Sequence, residues 1–201
     1  MQVWGYDDSR LFSVNSVYAC LAKHHSSCQH EVFMHIWKIK VFPNVITTTW
    51  RVLLGRIPTR ESLRRRAVSI NVTLCALCQT KEESCQHIFI ECGVAKKVWS
   101  LCFRWIGIMF VQHNDILTHF ENFVIPYLGS RQNLLWKCVR ATCIWDQRNE
   151  IVFKQEVVDV EEIFQMVQLK SWLWLKHRAH AFSYSFADWV MNPLICIRSY
   201  K

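Results

Sequence analysis

Three cysteines and one histidine stand near the middle of the chain at spacings that suit a metal ion. Cys75 and Cys78 are separated by two residues, and His87 and Cys92 follow in the pattern C-x2-C-x8-H-x4-C. Two cysteines at the first spacing form a tight knuckle, and four Cys or His side chains close a tetrahedral structural zinc site. The sequence therefore predicts a closed zinc site, whose metal binding contributes to folding and leaves no open position for catalysis.

The histidine ligand has a competitor. Cys85 lies two residues before His87, and with Cys85 in its place the site would consist of cysteines alone. A further interpretation is that these are ordinary buried cysteines, since free Cys is among the most buried residue types. The spacer, residues 79–86, is polar and carries Glu82 and Glu83, which predicts a solvated loop between the two ligand pairs.

Helices are predicted on both sides of these ligands. A helix over residues 49–55 is expected to bury one face, formed by Trp50, Leu53, Leu54 and Ile57. Thr59 suits the N-cap of the next short helix, because its hydroxyl can accept a hydrogen bond from a free backbone N–H group. Cys92 stands where another helix begins, which continues to about residue 105. A helix N-terminus favours the thiolate form of a cysteine.

Two apolar helical segments are expected before this region. Ser13 can cap a helix that reaches residue 21. A second segment, residues 32–41, is expected to end at Pro43. Its apolar stripe consists of Phe33, Ile36 and Trp37.

The C-terminal third of the chain predicts long helices. A stripe of Ile116, Phe120 and Phe123 follows Asp115, and residues 131–154 form one long helical pattern. Asp159 begins a last long helix, and a tail follows. The predicted fold class is therefore mostly α, with a small zinc knuckle between helices and long C-terminal helices after it. Gly129 and Ser130 mark the predicted boundary between a zinc-binding domain, residues 1–128, and a helical region, residues 129–201.

Arg148 and Asn149 are polar residues among apolar neighbours in the long helical pattern. We expect them to form a buried hydrogen-bonded pair that fixes helix packing. A ligand-binding role for the same two residues is the alternative.

Composition limits the classes of protein that the chain can belong to. With 51% hydrophobic and 20% charged residues among 201, the chain is expected to fold, and disorder over most of its length is excluded. The ten cysteines lack the spacing of a secreted disulfide framework, which indicates a reducing, intracellular compartment. Neither a signal peptide nor a membrane-spanning apolar stretch is recognisable.

Positive charge is concentrated before the metal ligands. The formal net charge is +8, and residues 51–66 contain six arginines against one glutamate. Such a cluster suits contact with phosphates. The alternative is that these arginines only complement a helix C-terminus and remain in water. The candidate nucleic-acid contacts are Arg56, Arg60, Arg64, Arg65, Arg66, Lys96 and Lys97.

Several ordered motifs accompany the metal pattern. They are Trp4, residues 12–18, Ile36-Trp37, residues 50–60, Leu63, Glu82-Glu83, residues 87–92 and Val98-Trp99. Together they resemble the zinc-binding domain that follows the polymerase in plant non-LTR (LINE-type) retrotransposon reverse transcriptases. The resemblance implies that Cys75, Cys78, His87 and Cys92 are the zinc ligands. The chain departs from the family at Asn44, where a Pro-x-Lys turn is usual near Pro43.

Catalysis is not expected from these residues. Tyr6-Asp7-Asp8 superficially matches a polymerase motif, but the further carboxylate that two catalytic metals require is missing upstream. We also find no ribonuclease H carboxylate set. The expected partner is RNA or single-stranded DNA, and the role of the family points to the nucleus. The alternative is a zinc-stapled scaffold whose exposed tryptophans bind proteins; neither a membrane nor a small-molecule substrate is expected.

Overall fold

The computed structural model describes residue 13 and residues 31–38, 42–109, 111–125, 128–178 and 182–198. The chain divides into two compact units, Met1–Met34 and His35–Lys201. In the first unit only Ser13 and residues 31–34 are described, so the helix that Ser13 is predicted to cap, as far as residue 21, lies outside the described residues. All seven basic candidates and the four candidate metal ligands belong to the second unit.

The described residues form nine α-helices and one π-helical turn. In chain order they are α1 (Glu31–Ile36), α2 (Pro43–Leu53), α3 (Arg60–Arg65), the π-helical turn (His87–Glu91), α4 (Gly93–Ile106), α5 (Ile116–Asn122), α6 (Ser130–Lys154), α7 (Val160–Arg178), α8 (Phe186–Met191) and α9 (Pro193–Arg198). Extended pairing within these ranges is limited to one antiparallel bridge between Leu74 and Glu82. The predicted fold class is confirmed, because a Cys3His group lies between α3 and α4 and long helices follow.

Helix α2 begins six residues earlier than the sequence pattern predicts. Pro43 occupies its first position, where the missing N–H group costs no helical hydrogen bond. Pro43 therefore begins a helix, whereas the helix before it already ends at Ile36. The buried face also differs from the predicted one, since Leu54 is exposed and Trp50 only half-buried. The residues that are buried are Val45, Ile46, Thr49, Val52 and Leu53.

The predicted stripe on the segment before α2 holds only in part. Helix α1 ends at Ile36, which is buried, whereas the side chain of the following Trp37 is 55% exposed. The Trp37 ring lies beside the Trp50 ring, with 5.9 Å between centroids. Trp37 lies outside the core because the helix ends before its position.

Local signals set the start of several helices as predicted. The Thr59 side chain accepts a hydrogen bond from the backbone N–H of Ser62 at 3.2 Å, and Asp115 does the same for Thr118 at 2.8 Å. Asp159 accepts from the N–H groups of Glu161 and Glu162. These acceptors satisfy donors that a helix N-terminus leaves free.

Helix α6 lies at the centre of the second unit. It packs against α2, against the π-helical turn and against α7, and α4 in turn packs against α7 and α9. Helices on the two sides of the predicted boundary at residue 128 therefore pack together, and the division into two domains stays a prediction. An aromatic cluster fills the space between α4, α6, α7 and α8. Its members are Trp105, Trp136, Phe164, Phe182 and Trp189.

The tail after residue 182 is part of this core. Trp189 is fully buried, and its Nε1 donates to the Gln168 carbonyl and to the Ser171 hydroxyl, each at 3.2 Å. None of the described helices combines the length and the apolar character that crossing a membrane requires.

Candidate metal centre

The structure brings the four predicted metal ligands together. The sulfurs of Cys75, Cys78 and Cys92 and a ring nitrogen of His87 all lie within 4.8 Å of one another, and the Cys78 Sγ is 3.2 Å from the His87 Nε2. In a tetrahedral site with Zn–S bonds of about 2.3 Å, neighbouring sulfurs are about 3.8 Å apart. The donor atoms therefore enclose a space of the size of one metal ion after a small contraction.

A short turn of the chain positions the first two ligands. The backbone N–H of Gln79 donates to the Cys75 carbonyl at 2.9 Å, and the N–H of Cys75 donates to the Lys81 carbonyl at 2.7 Å. Gln79 has a φ of 55°, the left-handed conformation that reverses the chain after the second cysteine. The Leu74–Glu82 bridge closes this turn at its base. Cys75 and Cys78 consequently point to the same side.

The second ligand pair spans the π-helical turn. The N–H of Cys92 donates to the carbonyl of His87, five residues earlier, at 2.7 Å. Because a π-helical turn is wider than an α-helical turn, residues five apart come close to each other on one side of the chain. Between them, Ile88, Phe89 and Ile90 are buried and anchor the turn in the core.

Cys92 occupies the N-cap position of α4, as the sequence predicts. A hydrogen bond from the Cys75 thiol, followed by the backbone N–H groups of Ala95 and Val94, lowers the pKa of Cys92. The same bond to Cys92, together with burial, raises the pKa of Cys75. Burial lowers the pKa of His87, which favours the neutral ring that a metal requires. The Cys92 thiolate therefore forms more readily than that of an ordinary cysteine, and metal binding would displace the thiol protons that remain.

The environment of His87 also includes a carboxylate. Its Nε2 faces Cys78, whereas its buried Nδ1 makes no hydrogen bond and lies 3.9 Å from the Glu91 Oε2. That separation is too long for a direct hydrogen bond. Metal-bound histidines usually donate their second ring N–H to a carboxylate or a carbonyl, and Glu91 is placed to accept it.

Cys85 lies outside the group of ligands. Its sulfur faces the Val52 carbonyl at 3.5 Å, and burial, with a smaller contribution from Glu61, raises the pKa of Cys85 to about 12. The alternative of an all-cysteine site therefore has no support from the geometry.

The prediction of a solvated spacer is wrong at Glu83. Lys81 and Glu82 are exposed, but Glu83 is fully buried. Its Oε2 accepts from the N–H of Ala76 at 3.1 Å, and its Oε1 accepts from the N–H of Arg60 at 3.0 Å. One carboxylate thus holds the first cysteine turn against the start of α3.

Arg148 on α6 pairs with the same carboxylate. Its Nε and Nη2 lie 3.1 Å and 2.5 Å from the Glu83 Oε1, and its Nη1 donates to the Asn149 Oδ1 at 3.0 Å. The predicted hydrogen bond between Arg148 and Asn149 is therefore present, but only Arg148 is buried, and Asn149 is half-buried. The sequence does not predict that Glu83, 65 residues earlier, is the acidic partner of Arg148. The only signal at that position is the Glu82-Glu83 motif.

The basic residues predicted to contact nucleic acid differ in how accessible their side chains are. Arg60 donates to the Leu74 carbonyl and lies 3.9 Å from Glu83, and only 16% of its side chain is exposed. Its guanidinium therefore supports the fold and is less available to a phosphate. Arg56, Arg64, Arg65, Arg66, Lys96 and Lys97 are exposed.

The four side chains thus form a largely buried Cys3His group in a helical protein, which could hold a metal ion and has the donor set typical of closed structural zinc sites. Residues 12–99 match the family model described as zinc-binding in reverse transcriptase. The matched range contains all four ligands. Neither a curated protein nor a solved structure matches the chain.

Proposed function

We propose that this chain is a non-catalytic, zinc-stabilised module derived from the reverse transcriptase of a plant non-LTR (LINE-type) retrotransposon, and that it binds RNA or single-stranded DNA. The family match and the Cys3His centre support zinc as the resident metal. The metal would hold the turn that contains Cys75 and Cys78 against α4 and so support the neighbouring helix α3. The role of the family suggests a nuclear location for such a module.

The observation that carries the proposal is the exposed row of arginines on and beside α3. Arg64 lies 3.3 Å from Glu82 and Arg65 lies 3.8 Å from Glu61, while Arg66 contacts the Arg56 carbonyl. Exposed ion pairs contribute little free energy, so a phosphate can replace either carboxylate at small cost.

The proposed contacts are to the nucleic-acid backbone. Arginine presents several N–H donors in a planar arrangement that matches phosphate oxygens. Each neutralised phosphate releases counterions, so affinity should fall steeply with salt concentration. Lys96 and Lys97 are exposed on α4 and are further candidates for such contacts.

The first test is the metal content of the purified chain. We expect one zinc ion per chain, and its loss after Cys75→Ser. The affinity for labelled single-stranded RNA and DNA is then measured by fluorescence anisotropy over a range of salt concentrations. Reversing Arg64, Arg65 and Arg66 to glutamate should reduce the salt slope by about 2, since each contact to a single strand contributes about 0.7.

A matched control separates local contacts from total charge. Arg65→Glu and Lys176→Glu change the net charge equally, but Lys176 lies on α7, where its ammonium stacks on Trp172. We expect only the first substitution to weaken binding. An unchanged affinity after reversal of all three arginines would show that the arginines on and beside α3 do not contact nucleic acid.

A protein-interaction scaffold is the second candidate function. Trp37 and Phe42 are exposed, by 55% and 64%, and lie five residues apart before α2. Large exposed apolar side chains at neighbouring positions are typical of protein contacts. Retention of a partner protein by the wild type but not by Trp37→Ala, with no affinity for nucleic acid, would favour this candidate.

A further inference from the structure

A cleft of about 470 Å³ lies between α3, the segment before the metal ligands and the C-terminal half of α6. It lies within the range of cavities that take small organic ligands. The metal centre does not line it. The residues on which its chemistry depends are Arg60, Asn71, Val72, Trp145, Asn149 and Phe153.

One wall of the cleft is fixed by buried groups. The Arg148 guanidinium lies over the Trp145 ring, 4.8 Å from its centroid, and the buried Glu83 holds that guanidinium in place. The wall is therefore formed before any ligand enters, which lowers the entropic cost of binding.

The end of the same helix, α6, adds an open aromatic surface to the cleft. Phe153 is 77% exposed although it follows four turns of largely buried helix, and Val72 across the cleft is also exposed. An exposed aromatic ring beside a cleft offers a stacking surface to a planar ligand.

Two amides supply polar contacts within this largely apolar cleft. The Asn149 Oδ1 accepts from Arg148, which orients the amide and leaves its Nδ2 hydrogens as donors. Asn71 lies on the exposed segment and makes no side-chain hydrogen bond within the described part of the chain. Asparagine amides can pair with the donor and acceptor groups of a base edge.

The charge around the cleft favours an anionic ligand over an apolar peptide. Arg64 lies on α3 one turn beyond Arg60, which lines the cleft, and its side chain is exposed. The Arg60 guanidinium is held by the Leu74 carbonyl and Glu83, so Arg64 is the arginine available to an anion. A planar stacking surface, amides and a cationic border together match a nucleotide within a single strand.

We propose that this cleft binds one unpaired base of a single-stranded nucleic acid, which stacks on Phe153 while Asn71 and Asn149 contact its edge. The inference rests on the proposed function, because the α3 arginines bind the adjoining phosphates. It goes beyond that function by assigning a base-binding site to α6.

The test uses the zinc-loaded full chain and single strands of about 12 nucleotides, one of RNA and one of DNA. Each is compared with an abasic strand of the same length, which keeps the phosphates and lacks the bases. Phe153→Ala should weaken binding of the intact strands about tenfold, within the range for loss of one stacked base. The salt slope should stay unchanged, because no charge is lost. The nucleic acid, RNA or DNA, whose affinity falls more after Phe153→Ala is the one that the cleft prefers.

Three controls define the outcomes. Phe153→Trp should retain wild-type affinity. Phe42→Ala removes another largely exposed ring, outside the cleft, and should have no effect. Phe153→Ala should not change binding of the abasic strand. Equal affinities of the wild type and Phe153→Ala for intact strands would overturn the base site but leave the arginine contacts in place, and would direct attention to an apolar peptide as occupant. Absence of binding by the wild type would overturn both proposals.

Discussion

Helix α6 carries two buried arginines, a little over two turns apart, whose charges meet different surroundings. Arg148 lies against the carboxylate of Glu83, with 2.5 Å between the Nη2 and the Oε1. Arg140 lies among aromatic rings, and its guanidinium carbon is 3.7 Å from the centroid of Phe123 and 4.5 Å from that of Trp99. The first arginine faces the metal ligands, and the second faces α4 and α5.

Arg140 has the less usual surroundings of the two buried arginines. It is fully buried, its Nε donates to the Trp136 carbonyl at 3.3 Å, and its Nη1 makes no hydrogen bond. Within the ranges that the structure describes, no carboxylate lies within ion-pair distance of it. Burial lowers the pKa of Arg140 to about 10, so the group stays charged at neutral pH. The faces of the aromatic rings supply the compensating negative potential.

The two arginines therefore join different parts of the fold. The Glu83–Arg148 pair connects positions 65 residues apart and ties α6 to the turn that contains Cys75 and Cys78. The contacts of Arg140 lie within the aromatic core formed by α4, α5 and α6. We infer that the Glu83–Arg148 ion pair, together with the packing of α6 on the π-helical turn, links metal binding to α6. The N-terminal half of α6 depends on ring packing around Arg140.

Removal of the metal should have the largest effect and should separate the two regions. A structural zinc ion contributes on the order of 10 kcal/mol to such a site. After chelation we expect amide hydrogen exchange in residues 75–92 to become fast, while α7 and α8 around Trp189 stay protected. The measurement is hydrogen exchange by mass spectrometry with and without chelator. Equal loss of protection in both regions would mean that the aromatic cluster around Trp189 is not stable without the metal.

Replacing each arginine with methionine should show which one needs its charge. Arg148→Met removes the closer of the two positive charges beside the buried Glu83 and leaves only Arg60, 3.9 Å away. We expect a loss of about 3–5 kcal/mol in the free energy of unfolding. Arg140→Met leaves no described carboxylate unpaired and keeps apolar volume, so its cost should stay within about 1 kcal/mol. Urea unfolding of the zinc-loaded variants gives both values.

The double variant, Arg140→Met with Arg148→Met, tests whether the two substitutions change the free energy of unfolding independently. Because Arg140 and Arg148 share no described partner, their effects should add. A larger loss from Arg140→Met than from Arg148→Met would contradict the assignment of the ion pair as the stronger constraint.

Sequence reasoning found those features that local patterns determine. The spacing of the four ligands, the cap at Thr59, the N-terminal position of Cys92 and the bounds of α6 all follow from residues that are close in the chain. The choice between Cys85 and His87 could not be made from spacing alone. It was decided by the π-helical turn, which directs His87 towards Cys92.

Features that depend on contacts between distant residues were missed. Glu83 stands in a polar spacer, and its burial depends on Arg148, which no periodicity connects to it. Pro43 was interpreted only as an end, although proline is equally suited to the first position of a helix. Arg140 could not be recognised as buried, because the rings that surround it come from α4 and α5.

The aromatic region should also respond to acid through His119. This side chain is buried beside Trp99, and burial, together with the positive charges of Arg140, His113 and Lys137, lowers the pKa of His119 to about 3. Below pH 6.5 the unfolded chain takes up a proton that the folded chain does not, so stability falls as the pH decreases towards 3. Between pH 6.5 and about 5.5 this contribution amounts to about 1 kcal/mol.

The comparison with His119→Phe isolates that contribution. Phenylalanine keeps a ring against Trp99 but does not titrate, so the variant should lose about 1 kcal/mol less than the wild type over the same pH interval. Urea unfolding at both pH values, in one buffer, provides the measurement. Protonation of the metal ligands affects both proteins equally and cancels in the difference. Parallel pH profiles would show that His119 does not titrate as inferred.

The smallest effect should come from Glu82, which differs from its neighbour Glu83 chiefly in burial. Glu82 lies 3.3 Å from Arg64 with 58% of its side chain exposed, and such pairs contribute little to stability. Glu82→Gln should therefore change the free energy of unfolding by less than about 0.5 kcal/mol, whereas Glu83→Gln should cost about 3 kcal/mol or more, because Arg148 then lacks a buried counter-charge. Chemical denaturation of the two variants measures both changes in the free energy of unfolding. Equal losses would show that burial of the carboxylate does not set the strength of the Glu83–Arg148 constraint.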